Sequence, residues 1–133
     1  MSAPELNLET ARRYLRAIEN GRPEEIVGFF APEAVAHWYP HKLVPKGMTA
    51  DLAAMRASSE RGSKLMASQK YEVRNALADG DRVGMEIDWT GVLAMQFETI
   101  PAGGEMKAHF AMFLEFRDGK IIRQTNYDCF EPW

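Results

Sequence analysis

Residues 107–130 read KAHFAMFLEFRDGKIIRQTNYDCF, and this stretch decides the fold. Two apolar-rich runs, Lys107–Phe116 and Lys120–Phe130, flank the tripeptide Arg117-Asp118-Gly119. Asp-Gly between two β-rich runs is a strong hairpin signal, because both residues tolerate the positive φ that tight turns require. The second run places Gln124, Asn126 and Asp128 at alternate positions. Strand alternation puts them on one face with Phe110, Met112, Leu114 and Phe116 of the first run. Polar groups on a core-forming face are costly unless they are hydrogen-bonded. They are therefore either satisfied internally or line a cavity that a ligand fills.

Upstream, the same period of two runs through Val83, Met85, Ile87 and Trp89, which alternate with Gly84, Glu86, Asp88 and Thr90. Tyr71 and Val73 lead into the turn Ala78-Asp79-Gly80-Asp81, and Pro101-Ala102-Gly103-Gly104 marks the loop before the final hairpin. The first half is helical in period. Leu8, Ala11, Tyr14, Leu15 and Ile18 recur at the spacing of one buried stripe, with Asn7 or Thr10 as the expected cap and Gly21 as the stop. Pro23-Glu24-Glu25 opens a short second helix carrying Ile26, Val27, Phe29 and Phe30, and Pro32 ends it. Ala34–Tyr39 reads as a strand, followed by an irregular stretch with Pro40, Pro45 and Gly47. Thr49 is the expected cap of a third helix with Leu52, Ala53 and Met55, running towards Met66. The predicted order is α-α-β-α-β-β-β-β in a single domain over residues 1–133. Helices early and hairpin-linked strands late indicate an α+β fold. Three helices cover the concave face of a cone-shaped, curved sheet, mixed but mainly antiparallel, whose open end is a natural pocket.

The chain has 133 residues, 46% hydrophobic and 26% charged, which is the composition of an ordinary globular domain. A net charge of -3 argues against nucleic acid as a partner. The one basic cluster, Arg12-Arg13-Arg16, shares a helix with Glu9 and Glu19 and reads as a solvated face. A single cysteine, Cys129, excludes an internal disulfide and suits a reducing compartment. With no signal-peptide pattern and no apolar run near the roughly 18 residues that span a bilayer, the expectation is a cytoplasmic protein without a membrane partner.

The segments Arg13-Tyr14-Leu15-Arg16-Ala17-Ile18-Glu19-Asn20-Gly21 and Ile26-Val27-Gly28-Phe29-Phe30-Ala31-Pro32-Glu33-Ala34 resemble the opening of ketosteroid isomerases. Phe116-Arg117-Asp118-Gly119-Lys120-Ile121-Ile122, followed by Asn126-Tyr127, resembles the last hairpin of SnoaL-like polyketide cyclases and limonene epoxide hydrolases. All belong to the nuclear transport factor 2-like superfamily, whose fold is the cone derived above and whose members host unrelated chemistries. The resemblance places Tyr14 at the isomerases' oxyanion-stabilising tyrosine. It places Trp38 at their aspartate base and Met112 at their protonated aspartate. Asn126 stands where cyclases and epoxide hydrolases carry an aspartate in the final strand. Without a base at position 38, steroid isomerisation is disfavoured. The family habit implies a homodimer through the convex sheet face, where Glu86, Asp88, Thr90, His109 and Glu115 fall by alternation.

Asp128 is the best remaining acid, and apolar neighbours would raise its pKa into the range of acid–base work. The expected catalytic set is Asp128 with Tyr14 and Asn126 as hydrogen-bond donors to a developing oxyanion. His109 is a further candidate: strict alternation points it outward unless a bulge near Gly103-Gly104 reverses it. Trp38, Tyr39, Trp89, Phe110, Met112, Gln124 and Phe130 are expected to bind a flat apolar ligand. His37 and His41 are separated by Pro40, which forbids the helix that would pair them as ligands, so no metal site is expected. Cys129 reads as a buried small residue. The implied function is a small-molecule-binding SnoaL-like protein that works without a cofactor. It would act as a cyclase, isomerase or hydrolase on a hydrophobic, carbonyl-bearing compound. The alternative is a non-catalytic binding module for an apolar metabolite.

Overall fold

The computed structural model describes residues 1–133 and opens with helices α1 (Ala3–Asn20) and α2 (Pro23–Val27). Strands β1 (Phe30–Trp38) and β2 (Met48–Ala50) precede helix α3 (Leu52–Leu65). The chain closes with β3 (Met66–Asp79), β4 (Arg82–Leu93), β5 (Glu105–Arg117) and β6 (Lys120–Phe130). The six strands form one sheet in the order β2-β1-β6-β5-β4-β3. Strands β3 to β6 are an antiparallel meander, and β1 pairs with β6 in parallel, which makes the sheet mixed. This is the expected α+β architecture, with one strand more than anticipated: the short β2 falls in the stretch read as irregular.

The final hairpin forms as its sequence dictates. Arg117 pairs with Lys120, and Asp118 and Gly119 take φ of 52° and 77° in a two-residue turn. Both outer helix caps differ from expectation. Ser2, not Asn7 or Thr10, caps α1: its hydroxyl accepts from Glu5 N–H, and the Glu5 carboxylate accepts from Ser2 N–H. Such a reciprocal box satisfies two free donors at once, whereas a lone Asn or Thr satisfies one. Asn7 is instead buried. Asp51 rather than Thr49 caps α3, accepting from Ala54 N–H at 2.9 Å. Thr49 lies in β2 opposite His37 of β1.

The helices pack on one sheet face and enclose a cluster of 25 buried apolar residues. Leu15 of α1, Val83 and Ile87 of β4, Leu114 of β5 and Ile121 of β6 are all at most 1% exposed. Each such side chain contributes about 1.5–3 kcal/mol through burial. The last turn of β6 continues the alternation, so Cys129 points outward and is exposed, not buried as expected. No helix is long and apolar enough to cross a membrane.

Candidate active site

Strand β6 sends Gln124, Asn126 and Asp128 inward in succession, and each holds the next. Tyr14 of α1 donates its hydroxyl proton to Gln124 Oε1 at 2.5 Å. Gln124 Nε2 donates to Asn126 Oδ1 at 2.8 Å, and Asn126 Nδ2 donates to Asp128 Oδ1 at 3.0 Å. Gln124 and Asn126 are each 2% exposed. The chain runs in one direction from a phenol to a carboxylate, so every amide is oriented by its neighbours. No buried side-chain polar atom lacks a partner. Tyr14 sits edge-on to Phe30, and burial pushes its pKa well up, so it remains a hydroxyl donor.

Asp128 ends the chain with one oxygen still uncommitted. Its Oδ2 lies 3.7 Å from Nε2 of His41, and both side chains are almost fully buried. Burial raises the Asp128 pKa to about 6, against the opposing pull of the Asn126 hydrogen bond. Burial lowers the His41 pKa below the ordinary histidine value. His41 Nδ1 accepts from the Leu43 backbone N–H at 3.1 Å, and the ring stacks on Phe130 at 5.0 Å.

These groups open onto a cavity of about 280 Å³ between the helices and the sheet. Trp89 and Phe110 stack at 5.5 Å, and Phe130, Met112 and Trp38 complete the apolar wall. Gly91 makes room for the Trp89 indole: a Cβ there would lie 2.6 Å from the ring. Trp89 Nε1–H donates to Gln69 Oε1 at 3.1 Å, and the Tyr71 hydroxyl approaches the same oxygen at 3.4 Å. Opposite the sheet, α3 lines the cavity with Met55, Ser58, Ser59, Gly62 and Ser63, one face of small and hydroxyl-bearing residues.

The cavity thus brings together Asp128, Tyr14, Asn126, Gln124, Trp38, Trp89, Phe110, Met112 and Phe130. It does not include Tyr39 or His109. Tyr39 follows β1 on the opposite face, 44% exposed, where it stacks on Tyr127 at 4.7 Å. His109 is an outward position of β5, bonded to Asp88 at 2.9 Å and Glu131 at 3.0 Å, and the Asp88 bond leads in raising its pKa. The β4–β5 register is unbroken through His109, so no bulge turns it inward. His37 also faces out, where its Nδ1 bonds to the Thr49 hydroxyl at 2.8 Å. No group of three or more His, Cys, Asp or Glu is arranged to hold a metal ion.

Residues 11–124 match the SnoaL-like domain family. The chain belongs to the SnoaL-like family. This SnoaL-like fold, of the nuclear transport factor 2-like superfamily, is shared with several solved structures at low identity. AclR from Streptomyces galilaeus, described as a candidate hydroxylase, is 21% identical with a TM-score of 0.81, over 97% of this chain and 82% of that one. IdmH from Streptomyces antibioticus, described as a candidate polyketide cyclase, is 20% identical with a TM-score of 0.77, over 92% and 91% of the two chains. A protein of Catenulispora acidiphila with a ketosteroid isomerase-like fold, solved in complex with trimethylamine, is 17% identical with a TM-score of 0.73, over 90% and 84%. No curated protein sequence matches this chain.

Among the cavity residues that the sequence did not point to are His41, Gln69 and Tyr71 on the side of the sheet and the serines of α3 opposite them. His41 lies between Pro40 and Pro45 in a stretch without periodicity, so no pattern could aim it. Tyr71 was legible as a strand residue, and its parity with Gln69 and Val73 was the available signal.

Proposed function

We propose that this SnoaL-like protein binds a flat, hydrophobic, carbonyl-bearing small molecule and acts on it by cofactor-independent acid–base chemistry, with Asp128 as the base. The observation that carries this reading is a nearly fully buried carboxylate at the end of a one-way hydrogen-bond chain inside an apolar cavity. A carboxylate with a pKa near 6 is ionised at neutral pH yet basic enough to accept a proton from carbon. Proton abstraction beside a carbonyl is the common first step of isomerisation and intramolecular ring closure. Tyr14 has only one hydroxyl proton and gives it to Gln124, so its role is to hold the chain that orients Asp128.

The test is α-proton exchange of β-tetralone in D2O, followed by proton NMR. Asp128→Asn is expected to lower the enzymatic exchange rate at least about 10²-fold, the usual contribution of a positioned base. Exchange that survives this substitution unchanged removes Asp128 as the base.

A binding module without catalysis is the second reading, and the apolar Trp38 and Met112 at the isomerases' acid positions favour it. β-Tetralone bound without exchange by the wild-type protein would select it. We also propose a homodimer through the outer sheet face, where Phe113, Tyr127 and Tyr39 are 51%, 45% and 44% exposed and touch one another in series. We propose a cytoplasmic location as well, because the exposed thiol of Cys129 would remain reduced there.

A further inference from the structure

We propose that His41 is the electrophilic residue of this site, donating from Nε2–H to the ligand's carbonyl oxygen while the adjacent carbon faces Asp128. The assignment rests on the reading of Asp128 as the base, and it adds a residue that neither the sequence pattern nor the family resemblance supplies.

The tautomer is the first support. Leu43 N–H occupies the Nδ1 lone pair at 3.1 Å, so the proton of a neutral imidazole resides on Nε2. Burial disfavours the imidazolium, which keeps that donor neutral beside Asp128. The second support is the gap. Nε2 and Asp128 Oδ2 are 3.7 Å apart, too far for a direct hydrogen bond, and both face the same cavity. A carbonyl group and its α-carbon can lie across that gap, oxygen at the nitrogen and hydrogen at the carboxylate.

The competing donors are the third support. Tyr14 gives its one hydroxyl proton to Gln124 and Trp89 Nε1–H its one proton to Gln69, while Asn126 Nδ2 spends one of its two N–H donors on orienting Asp128. Other hydroxyls on the wall are that of Tyr71, which reaches Gln69 only at 3.4 Å, and those of Ser58 and Ser59 on α3, across the cavity from the sheet that carries Asp128. The imidazole is also held in place. Its face stacks on Phe130, and the neighbouring Lys42 Nζ lies 3.8 Å over the Trp133 ring while donating to the Trp133 carbonyl. A donor fixed before the reaction stabilises developing charge without reorganising.

The step balances without a further reactant. Asp128 Oδ2 takes the α-hydrogen as a proton, and the C–H electron pair becomes the C=C bond of the enolate. The carbonyl π pair moves onto oxygen, which Nε2–H holds while its own proton stays on nitrogen. The Asp128 carboxylic acid then returns its proton to carbon.

The test compares β-tetralone with tetralin, its ketone-free hydrocarbon, by tryptophan emission, alongside the exchange assay. The wild-type protein is expected to bind the ketone more tightly than the hydrocarbon. His41→Ala should abolish that preference and slow exchange about 10²-fold, the usual effect of losing one oxyanion donor, with tetralin affinity retained. His41→Gln, whose amide N–H can reach the same position, should restore part of both. Long-range ¹⁵N–¹H spectra should show the neutral Nε2–H tautomer at pH 7. An Nδ1–H tautomer, a wild-type cavity that holds the ketone no better than tetralin, or a preference that survives in His41→Ala would overturn the assignment. Failure of the base reading looks different: Asp128→Asn would leave exchange intact, whereas the ketone preference reports His41 alone.

Discussion

Asp128 is buried away from the water that would solvate its charge, and this ties its chemistry to the stability of the protein. Its folded pKa of about 6 lies above the ordinary carboxylate value, so the folded state binds this proton more tightly than the unfolded chain does. The associated stability is full below the unfolded pKa and is lost as pH rises towards about 6. At pH 7 the ionised carboxylate therefore costs on the order of 2–3 kcal/mol. Asp128→Asn is neutral and nearly isosteric, so it should melt at a higher temperature than wild type at pH 7. The difference should shrink to nothing near pH 4. Calorimetry at the two pH values checks this, and an equal melting difference at both would contradict it. Protein stability is commonly lowered at sites adapted for activity. The three inward residues of β6 were legible in the sequence because alternation on a strand is local. His41 was not, because its position depends on the parallel pairing of β1 with β6, which carries the loop after Trp38 to the end of β6 beside Asp128. Contacts between segments so far apart leave no periodic trace.

At the scale of elements, β4 shows how a small residue sets the shape of the cavity. Trp89 and Gly91 share the inner face, and the indole lies over the glycine backbone, close enough that a Cβ would also meet the Met66 sulfur at 2.8 Å. Gly91→Ala should push the indole towards Phe110 or bend the strand. Overpacking of this kind costs about 1–3 kcal/mol. The expected outcome is a lower melting temperature together with weaker β-tetralone binding. Unchanged affinity would mean that the indole does not define the wall. The meander and the α1 stripe were readable from period and turn chemistry alone, since Asp118-Gly119 and the spacing of Ala11, Tyr14 and Leu15 are local signals. The helix starts were less readable. Several capping residues stand near each end, and reciprocal bonding at Ser2 and Glu5 or Asp51 before Ala54 decides among them. Strand β2 has only three residues, and its pairing with β1 gives no sequence period to detect.

For the whole molecule, the two faces of the sheet carry different tasks. The inner face buries the core and the cavity. The outer face joins an aromatic series, Tyr39–Tyr127–Phe113, to charged pairs such as Arg74–Asp88 and Arg82–Glu115. An apolar centre with a charged rim is the anatomy of a protein–protein interface. Sedimentation at micromolar concentration should give twice the monomer mass. Phe113→Asp should give a monomer with an unchanged far-ultraviolet circular dichroism spectrum, and a wild-type monomer would contradict the proposed assembly.

The cavity holds a carboxylate whose basicity is raised by burial, and ¹³C NMR of the Asp128 side-chain carboxyl measures this without a substrate. The expected titration midpoint of this carboxyl is near pH 6. A midpoint near the ordinary carboxylate value of about 4 would contradict it.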